Sequence, residues 1–232
     1  MTISTVLLDA GGVILDESEH ERVRAGIAVE TLKSVVPDYS MRHYELDIED
    51  AIRCFCPNVY EFVFWKRLRH DRSLFNDCYD RYLAAWRSMR PPLRLMPLFD
   101  MEIMRIPVSL AVGIAGQYGS EILDLLAQHS LLEYLTHTLT QDDFRITKPD
   151  PRFYEQITEA CGAEPRQCIM VGDRIDKDIV PARLLRMKTV LVRGGLHRHQ
   201  QPRMPYETPD IELHGITGLA NAIMELAGMV NE

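Results

Sequence analysis

Short runs of almost uninterrupted apolar residues recur along the chain and alternate with segments of helical periodicity. The apolar runs cover residues 5–8, 108–115, 168–172, 189–192 and 211–213. Helical spacing of apolar residues is found in segments 120–129, 152–161, 179–186 and 219–227. Short apolar runs bounded by turn residues are typical of strands that are buried on both faces. Their alternation with helices predicts an α/β fold, with a three-layer α/β/α core around a parallel sheet.

Residues 17–90 follow a different pattern, because they contain no strand-like run. They are rich in charges, and their aromatic residues recur at helical spacing, as Tyr60 and Phe64 do. We interpret these aromatics as the packing faces of three or four helices rather than as a cofactor site. Pro91-Pro92 then marks the return to the α/β pattern. The predicted domains are a core of residues 1–16 and 91–232 and an inserted helical domain of residues 17–90, expected to lie as a lid over one sheet edge.

Composition limits the partners and the location that can be expected. The chain has 232 residues, of which 46% are hydrophobic, enough for a sizeable core. Its net charge of −8 argues against an electrostatic nucleic-acid interface, although a small phosphorylated ligand remains compatible with it. No signal-peptide pattern and no run of about 18 apolar residues is present, so we expect no membrane partner. Five cysteines without framework spacing fit reduced thiols, and a cytoplasmic location is predicted.

Two of the predicted strands end in a carboxylate. Asp9 follows the first strand and precedes Gly11-Gly12, and Asp173 follows the strand at residues 168–172. Parallel sheets carry their sites at the carboxyl ends of the strands, so both side chains are expected at the same edge. Carboxylate oxygens are hard ligands suited to Mg²⁺. An apolar strand gains little by ending in an acid before two glycines unless something binds there.

Three further charged residues have more than one interpretation. Asp176 and Asp178 lie near the start of a predicted helix, where acids are also favoured by the helix dipole. For Asp176 we favour this capping role. Lys148 precedes Pro149-Asp150-Pro151, and a lysine on so rigid a turn can neutralise a phosphate or a carboxylate. A solvated loop lysine explains the same residue equally well.

In this order, the motifs resemble those of the haloacid dehalogenase (HAD) superfamily, in its subclass with a helical (C1-type) cap. The matching segments are Leu8-Asp9-Ala10-Gly11-Gly12-Val13, Arg145-Ile146-Thr147-Lys148-Pro149-Asp150-Pro151, and Val171-Gly172-Asp173 with Asp178. The resemblance spans residues 5 to about 225, with the cap matched only by its position and helical character. It implies a Rossmann-like core. The combination of motifs is specific, whereas any one of them alone is weak.

The resemblance also implies a chemistry. Asp9 would attack a phosphorus atom and form an aspartyl-phosphate. Mg²⁺ would be held by Asp9, Asp173 and the backbone carbonyl of Gly11. Lys148 would add positive charge where two anions meet, and Asp178 would orient Lys148 or a metal-bound water. The implied substrate is a small phosphorylated molecule.

The chain departs from the family pattern at two motifs. Gly11 stands where family phosphatases usually carry an Asp that protonates the leaving group. Gly116 and Gln117 stand where a Ser or Thr, often followed by Asn, usually contacts the phosphate. Gln117 keeps an amide donor, and backbone N–H groups near Gly116 can still hold an anion, so both are expected to bind substrate.

A substitute acid is available just after the first motif, where four titratable residues follow each other closely. They are Asp16, Glu17, Glu19 and His20. A charged, solvated helix start is the favoured interpretation of this stretch. His20 has the most suitable pKa for proton transfer near neutrality.

Three functions fit the sequence. The first is a Mg²⁺-dependent phosphatase acting on a small phosphate monoester, which the retained Asp9, Lys148, Asp173 and Asp178 favour. The second is a haloacid dehalogenase, which attacks carbon with the same nucleophile and without metal. The third is a binding or regulatory protein that has lost turnover, as the changes at positions 11 and 116 would suggest. We favour the phosphatase.

Overall fold

A computed structural model describes residues 2–229 of the chain. The described residues form two compact units. One unit combines the residues up to Glu17 with those from Leu93 onward, and the other is Ser18–Pro92. Among the described residues, no helix has the length and apolar character needed to span a bilayer.

The first unit is built on a five-stranded sheet in which every pairing is parallel. The strands are β1 (Thr5–Leu8), β2 (Ala111–Ile114), β3 (Cys168–Gly172), β4 (Lys188–Val192) and β5 (Ile211–Leu213). Their order across the sheet is β2-β1-β3-β4-β5. The interior strand β1 is paired so that Leu8 lies level with Ile114 on one side and with Val171 on the other. The predicted parallel α/β fold is confirmed.

Both faces of this sheet are covered, as continuously apolar strands require. Val6 and Leu8 of β1 pack into one hydrophobic cluster, whereas Leu7 between them packs into a second cluster with Phe153 and Met170. Successive side chains of a strand point to opposite faces, which explains this alternation. All three β1 side chains are fully buried.

Five helices of the first unit follow in chain order. They are α5 (Phe99–Ile103), α6 (Glu121–Gln128), α7 (Pro151–Ala160), α8 (Val180–Leu184) and α9 (Leu219–Leu226). The predicted helix at 179–186 is shorter than expected, because a π-helical segment, Ile175–Ile179, precedes it. The predicted strand at 108–115 is shorter too. The backbone N–H of Leu110 donates to the carbonyl of Pro107, and this turn occupies the residues before Ala111.

The second unit consists of four helices. They are α1 (Ser18–Lys33), α2 (Met41–Arg53), α3 (Val59–Leu68) and α4 (Arg72–Met89). Side-chain caps begin two of them, since Asn58 accepts from the N–H of Glu61 and Asp71 accepts from the N–H of Leu74. The unit's interior contains aromatic pairs such as Phe64 with Tyr82, whose ring centroids are 5.1 Å apart.

Candidate active site

Three acids converge at the carboxyl edge of the sheet. Asp9 follows β1, Asp173 follows β3, and Asp178 lies in the π-helical segment after β3. The backbone N–H of Asp9 donates to the carbonyl of Val171 at 2.8 Å, which ties the end of β1 to β3. One oxygen from each of the three carboxylates lies within 4.8 Å of the other two.

Two glycines allow this close approach. Gly12 has a φ of +69°, and a β-carbon there would lie 2.8 Å from Oδ2 of Asp173. A β-carbon on Gly172 would lie 2.4 Å from the Cγ of Asp178. Side chains at either position would therefore push the acids away. The glycines next to the two strand-end carboxylates are required by the packing of the site itself.

Lys148 reaches the acids from the loop before α7. That helix is capped by Asp150, whose carboxylate accepts from the N–H of Arg152 at 3.0 Å. The Nζ of Lys148 donates to Oδ1 of Asp9 at 2.7 Å and to Oδ1 of Asp178 at 2.5 Å. Only 2% of the Lys148 side chain is exposed. The solvated-loop interpretation of this lysine is therefore wrong, because its ammonium lies between two carboxylates.

Asp178 is held in place by a backbone donor as well as by Lys148. Its Oδ2 accepts from the backbone N–H of Arg174 at 3.0 Å. The hydroxyl of Tyr154, which donates to the carbonyl of Lys177 at 2.5 Å, lies 3.3 Å from its Oδ1. The carboxylate is 1% exposed. Because Asp178 is fixed on both oxygens, it can orient the ammonium group of Lys148 towards Asp9.

Asp176 faces different partners. Arg174 forms two hydrogen bonds to its carboxylate, at 3.1 Å and 2.6 Å, and the side-chain amide of Gln200 donates to it at 2.7 Å. These contacts form a separate ion pair, and Asp176 is not part of the three-acid group.

Charge is not balanced among the converging groups. Burial raises the pKa of Asp9 to about 6, against the lowering effect of Lys148. Burial, followed by the charge of Asp9, raises the pKa of Asp173 well above its ordinary value. Burial alone would lower the pKa of Lys148, but the charges of Asp178 and Asp9 raise it. Three carboxylates face one ammonium, so full ionisation leaves two negative charges, the amount that one divalent cation neutralises.

The donor set fits Mg²⁺. Within residues 2–229, the group of Asp9, Asp173 and Asp178 is the one place where three acidic, histidine or cysteine side chains converge in this way. All of its donors are carboxylate oxygens, which hard cations prefer. Gly11 lies beside these acids in the turn after β1, where it forms a bridge with Leu15.

The two predicted phosphate-contact residues differ in exposure to solvent. Gly116 is buried after β2, and a β-carbon there would lie 2.4 Å from the β-carbon of Ala10 and 2.8 Å from its backbone nitrogen. A hydroxyl-bearing side chain has no room at this position. Gln117 is exposed. The N–H of Ala115, which precedes Gly116, donates to the carbonyl of Leu8 at 2.7 Å, beside the end of β1.

Two of the candidate substitute acids, His20 and Glu17, belong to different units of the structure. His20 lies in the helical unit, where its Nε2 is 2.8 Å from the carbonyl oxygen of Pro91 and its ring packs edge-on against Trp86. Glu17 belongs to the first unit. A β-carbon built on Gly11 would lie 2.4 Å from Oε2 of Glu17, so this carboxylate lies directly beside the turn after β1.

Comparisons with known proteins show which family and which folds this chain resembles. A family model described as HAD-hydrolase-like matches residues 145–219, which include Lys148, Asp173 and Asp178. Two solved structures have TM-scores of 0.68 to this chain. One is a predicted phosphoglycolate phosphatase from Haemophilus somnus, 14% identical, with coverage of 96% of this chain and 99% of that one. The other is a haloacid dehalogenase-like protein of unknown function from Agrobacterium tumefaciens, 16% identical, with coverage of 97% and 99%.

Two curated relatives are similar over part of their length. A glyceraldehyde 3-phosphate phosphatase from Methanopyrus kandleri is 27% identical over 66% of this chain and 62% of its own length. A phospholysine phosphohistidine inorganic pyrophosphate phosphatase from Xenopus laevis is 33% identical over 45% of this chain and 38% of its own length. Each alignment thus spans less than two thirds of the relative. The resemblance to HAD-like hydrolases that the motifs predict is confirmed by these similarities, with the family model covering residues 145–219.

Proposed function

We propose that this protein is a Mg²⁺-dependent phosphatase that hydrolyses a small phosphate monoester through an aspartyl-phosphate on Asp9. One observation carries the proposal. The Asp9 carboxylate lies at the end of the interior strand β1, is held by the buried ammonium of Lys148, and has an oxygen within 4.8 Å of oxygens of two further acids. The likeness to curated phosphatases supports the choice of phosphate esters as substrates.

The residues of the site divide the chemistry between them. An oxygen of Asp9 forms the new bond to phosphorus while the bond between phosphorus and the ester oxygen breaks. Lys148 offsets the repulsion between the Asp9 carboxylate and the phosphate dianion, and Asp178 keeps the Lys148 ammonium in position. Asp9 and Asp173 supply the oxygens for Mg²⁺, which when bound neutralises charge on the phosphoryl group.

Phosphorus chemistry fits the charges better than dehalogenation does. A metal-free attack on carbon needs one ionised carboxylate, and extra buried acids around it only raise the cost of ionising that group. Here Asp173 and Asp178 accompany Asp9 with a single lysine between them. A divalent cation resolves this imbalance, and phosphoryl transfer makes use of one.

Each of the two units has its own role in the proposed function, and the substrate is the binding partner. The sheet-containing unit is the catalytic core, and the helical unit, Ser18–Pro92, is the cap that selects the substrate. The partner is a small phosphorylated molecule rather than a nucleic acid, since the chain carries a net charge of −8. A panel of phosphorylated metabolites, screened for released phosphate in the presence of Mg²⁺, identifies the preferred class.

Hydrolysis of p-nitrophenyl phosphate tests the function directly. Purified protein should release p-nitrophenol with Mg²⁺ and stop on addition of EDTA. The Asp9→Asn variant should lose about 10³-fold or more, as expected for removal of a nucleophile. Asp124→Asn, the same change at an exposed position on α6, is the matched control and should retain the wild-type rate.

Each of three other results would reject this function. Turnover that survives in Asp9→Asn would point to a contaminant. Turnover that survives EDTA would favour metal-free chemistry of the dehalogenase kind. Absence of turnover with every phosphate ester, combined with Mg²⁺ binding, would favour a binding or regulatory protein.

A further inference from the structure

Cleavage of a phosphate monoester requires a proton donor for the leaving oxygen, and none of the three converging acids is available for this role. The departing oxygen carries negative charge, and an alcohol leaving group needs a proton as it departs. In the proposed reaction Asp9 is bonded to phosphorus, Asp173 would hold the cation, and Asp178 is hydrogen-bonded to Lys148 and Arg174 and lies close to the hydroxyl of Tyr154. A fourth group is therefore required.

Glu17 lies in the right place for this task. Gly11 has no side chain, and the space that its side chain would occupy is filled by the Glu17 carboxylate. A β-carbon on Gly11 would lie 2.4 Å from Oε2 and 3.3 Å from Oε1 of Glu17. Gly11 is two residues beyond Asp9, so the carboxylate stands at the turn that carries the nucleophile.

The position of Glu17 is fixed by a second contact. The hydroxyl of Tyr118, in the loop between β2 and α6, donates a hydrogen bond to Oε1 of Glu17. This leaves Oε2, the oxygen nearest to Gly11, directed at the turn. Tyr118 itself packs against the larger hydrophobic cluster of the sheet. The loops after β1 and β2 therefore both determine where the carboxylate stands.

We propose that Glu17 is the proton donor and acceptor of the hydrolysis, with Tyr118 as its positioning residue, an inference that rests on the proposed phosphatase function. Glu17 is not part of the group of Asp9, Asp173 and Asp178, whose oxygens lie within 4.8 Å of one another. It thus supplies an acid beside the nucleophile without belonging to the convergent set.

The two half-reactions balance around this residue. In the first, Asp9 forms its bond to phosphorus, the ester P–O bond breaks, and the leaving oxygen takes the proton from the Glu17 carboxyl. In the second, the Glu17 carboxylate takes a proton from a water molecule whose oxygen attacks phosphorus. The bond between phosphorus and Asp9 then breaks, the Asp9 carboxylate returns, and Glu17 is protonated again. The net reaction is ester plus water to alcohol plus phosphate.

Leaving-group dependence is the decisive measurement. For Glu17→Gln, kcat/KM with phenyl phosphate should fall about 100-fold or more, because phenolate needs a proton to leave. With p-nitrophenyl phosphate the loss should be only about threefold or less, since p-nitrophenolate leaves unaided. The ratio of the two rates does not depend on the amount of folded enzyme. Tyr118→Phe should shift the same ratio in the same direction by a smaller factor.

Glu19→Gln, two residues further along the chain, is the matched control and should leave the ratio unchanged. A rescue variant adds a second line of proof. Gly11→Asp alone crowds the Glu17 carboxylate, but the double variant Gly11→Asp, Glu17→Ala has room for the new carboxyl. It should recover part of the phenyl phosphate activity that Glu17→Ala loses.

Other outcomes overturn the inference. An equal loss with both substrates would show that Glu17 supports structure rather than proton transfer. A Glu17→Gln variant that loses Mg²⁺ affinity by about tenfold, measured by titration of activity with Mg²⁺, would make Glu17 a ligand instead. If the wild-type protein is inactive with both esters, the phosphatase function itself fails. An active wild type with an unchanged ratio in Glu17→Gln rejects the role of Glu17 alone.

Discussion

Each of the two units contains a buried aspartate that is bonded to basic side chains, and the two arrangements differ in charge. In the helical unit, Asp47 is fully buried and accepts two hydrogen bonds from Arg67, at 2.6 Å and 2.7 Å. Lys66 lies 2.7 Å from Asp47 and 2.5 Å from Asp50, and the hydroxyl of Tyr39 donates to Asp47 at 3.0 Å. The two carboxylates therefore meet two half-buried cations, with the exposed Arg53 as a third at Asp50, so no negative charge is left uncompensated in this balanced network.

The group at the sheet edge also combines acidic and basic side chains, but its carboxylates outnumber its cations. Asp9 and Asp178 share the single ammonium of Lys148, and Asp173 adds a third carboxylate to the same group. In addition, the Lys148 side chain is 2% exposed, whereas those of Lys66 and Arg67 are 27% and 29% exposed. Buried acids alone do not distinguish a site from a structural network. Their uncompensated charge does, because such a cluster either binds a further positive partner or keeps a carboxyl group protonated.

Replacing the single ammonium has the largest expected effect. Lys148→Met removes the positive charge between Asp9 and Asp178 while filling most of the volume. We expect kcat/KM for p-nitrophenyl phosphate to fall about 10²- to 10³-fold, as with the loss of one charge-stabilising donor. Steady-state kinetics at saturating Mg²⁺, with circular dichroism to confirm folding, make the measurement.

Lys66→Met is the matched variant, since it removes the lysine of the balanced network. Its expected effect is on the unfolding free energy, with kcat close to that of wild type. If Lys66→Met reduced kcat as strongly as Lys148→Met, the division into one catalytic and one structural cluster would be wrong.

The second largest effect concerns Asp47. Asp47→Asn leaves Arg67 and Lys66 without their shared buried partner. Breaking a fully buried ion pair costs about 3–5 kcal/mol. Because both cations keep a quarter or more of their side chains exposed, we expect a cost of about 2–3 kcal/mol here, below that range. Urea unfolding measures this loss. If the unfolding midpoint of Asp47→Asn changed by less than that of an exposed substitution such as Asp77→Asn, the structural role of Asp47 would be contradicted.

Much of this architecture was predictable from the sequence because strands buried on both faces leave a strong local pattern. Residues 168–172 were predicted as a strand and form β3. Asp9 and Asp173 were recognised because each interrupts such a run with a charge. Lys148 was harder, since its sequence context fits a solvated loop as well. Only the tertiary structure brings it to residues that are 139 and 30 positions away.

The substitute acid is the case in which the sequence is least informative, because it favours a solvated, charged helix start over any one of the four residues. An imidazole is in general the better proton-transfer group near neutral pH, but the ring of His20 is held inside the helical unit by Pro91 and Trp86. Glu17 has an ordinary side chain, and its proximity to Gly11 depends on how the chain turns back after β1. The same holds for Gly116, where the missing hydroxyl follows from contact with Ala10. No periodicity or spacing in the sequence encodes either contact.

Binding of Mg²⁺ at the sheet edge should raise the unfolding free energy by an intermediate amount. A substitution in the sheet-edge group should abolish this gain, whereas a substitution in the balanced network should not. Ligand binding stabilises the folded state by RT ln(1 + [L]/Kd), about 1.4 kcal/mol when Mg²⁺ is at ten times its Kd. We expect this gain for the wild type and for Asp50→Asn, but not for Asp173→Asn. In EDTA, Asp173→Asn should be more stable than wild type, because it removes one of two uncompensated charges. Urea unfolding with and without Mg²⁺ gives both differences.

An equal gain from Mg²⁺ in the wild type and in Asp173→Asn would place the cation elsewhere. A wild type that is more stable than Asp173→Asn in EDTA would contradict the charge imbalance itself. Both comparisons use the wild type and Asp173→Asn. The comparison with Mg²⁺ tests where the cation binds, and the comparison in EDTA tests the charge imbalance without it.

The smallest expected effect lies at the rim of the balanced cluster. Arg53 forms an ion pair with Asp50, but its side chain is 78% exposed. Exposed ion pairs contribute little, so Arg53→Gln should change the unfolding free energy by less than about 0.5 kcal/mol. The hydrogen bond from Lys66 is the largest contribution that lowers the pKa of Asp50, ahead of that of Arg53, and Lys66 remains in this variant. A loss above about 1 kcal/mol in urea unfolding would mean that the balanced network extends to its exposed edge.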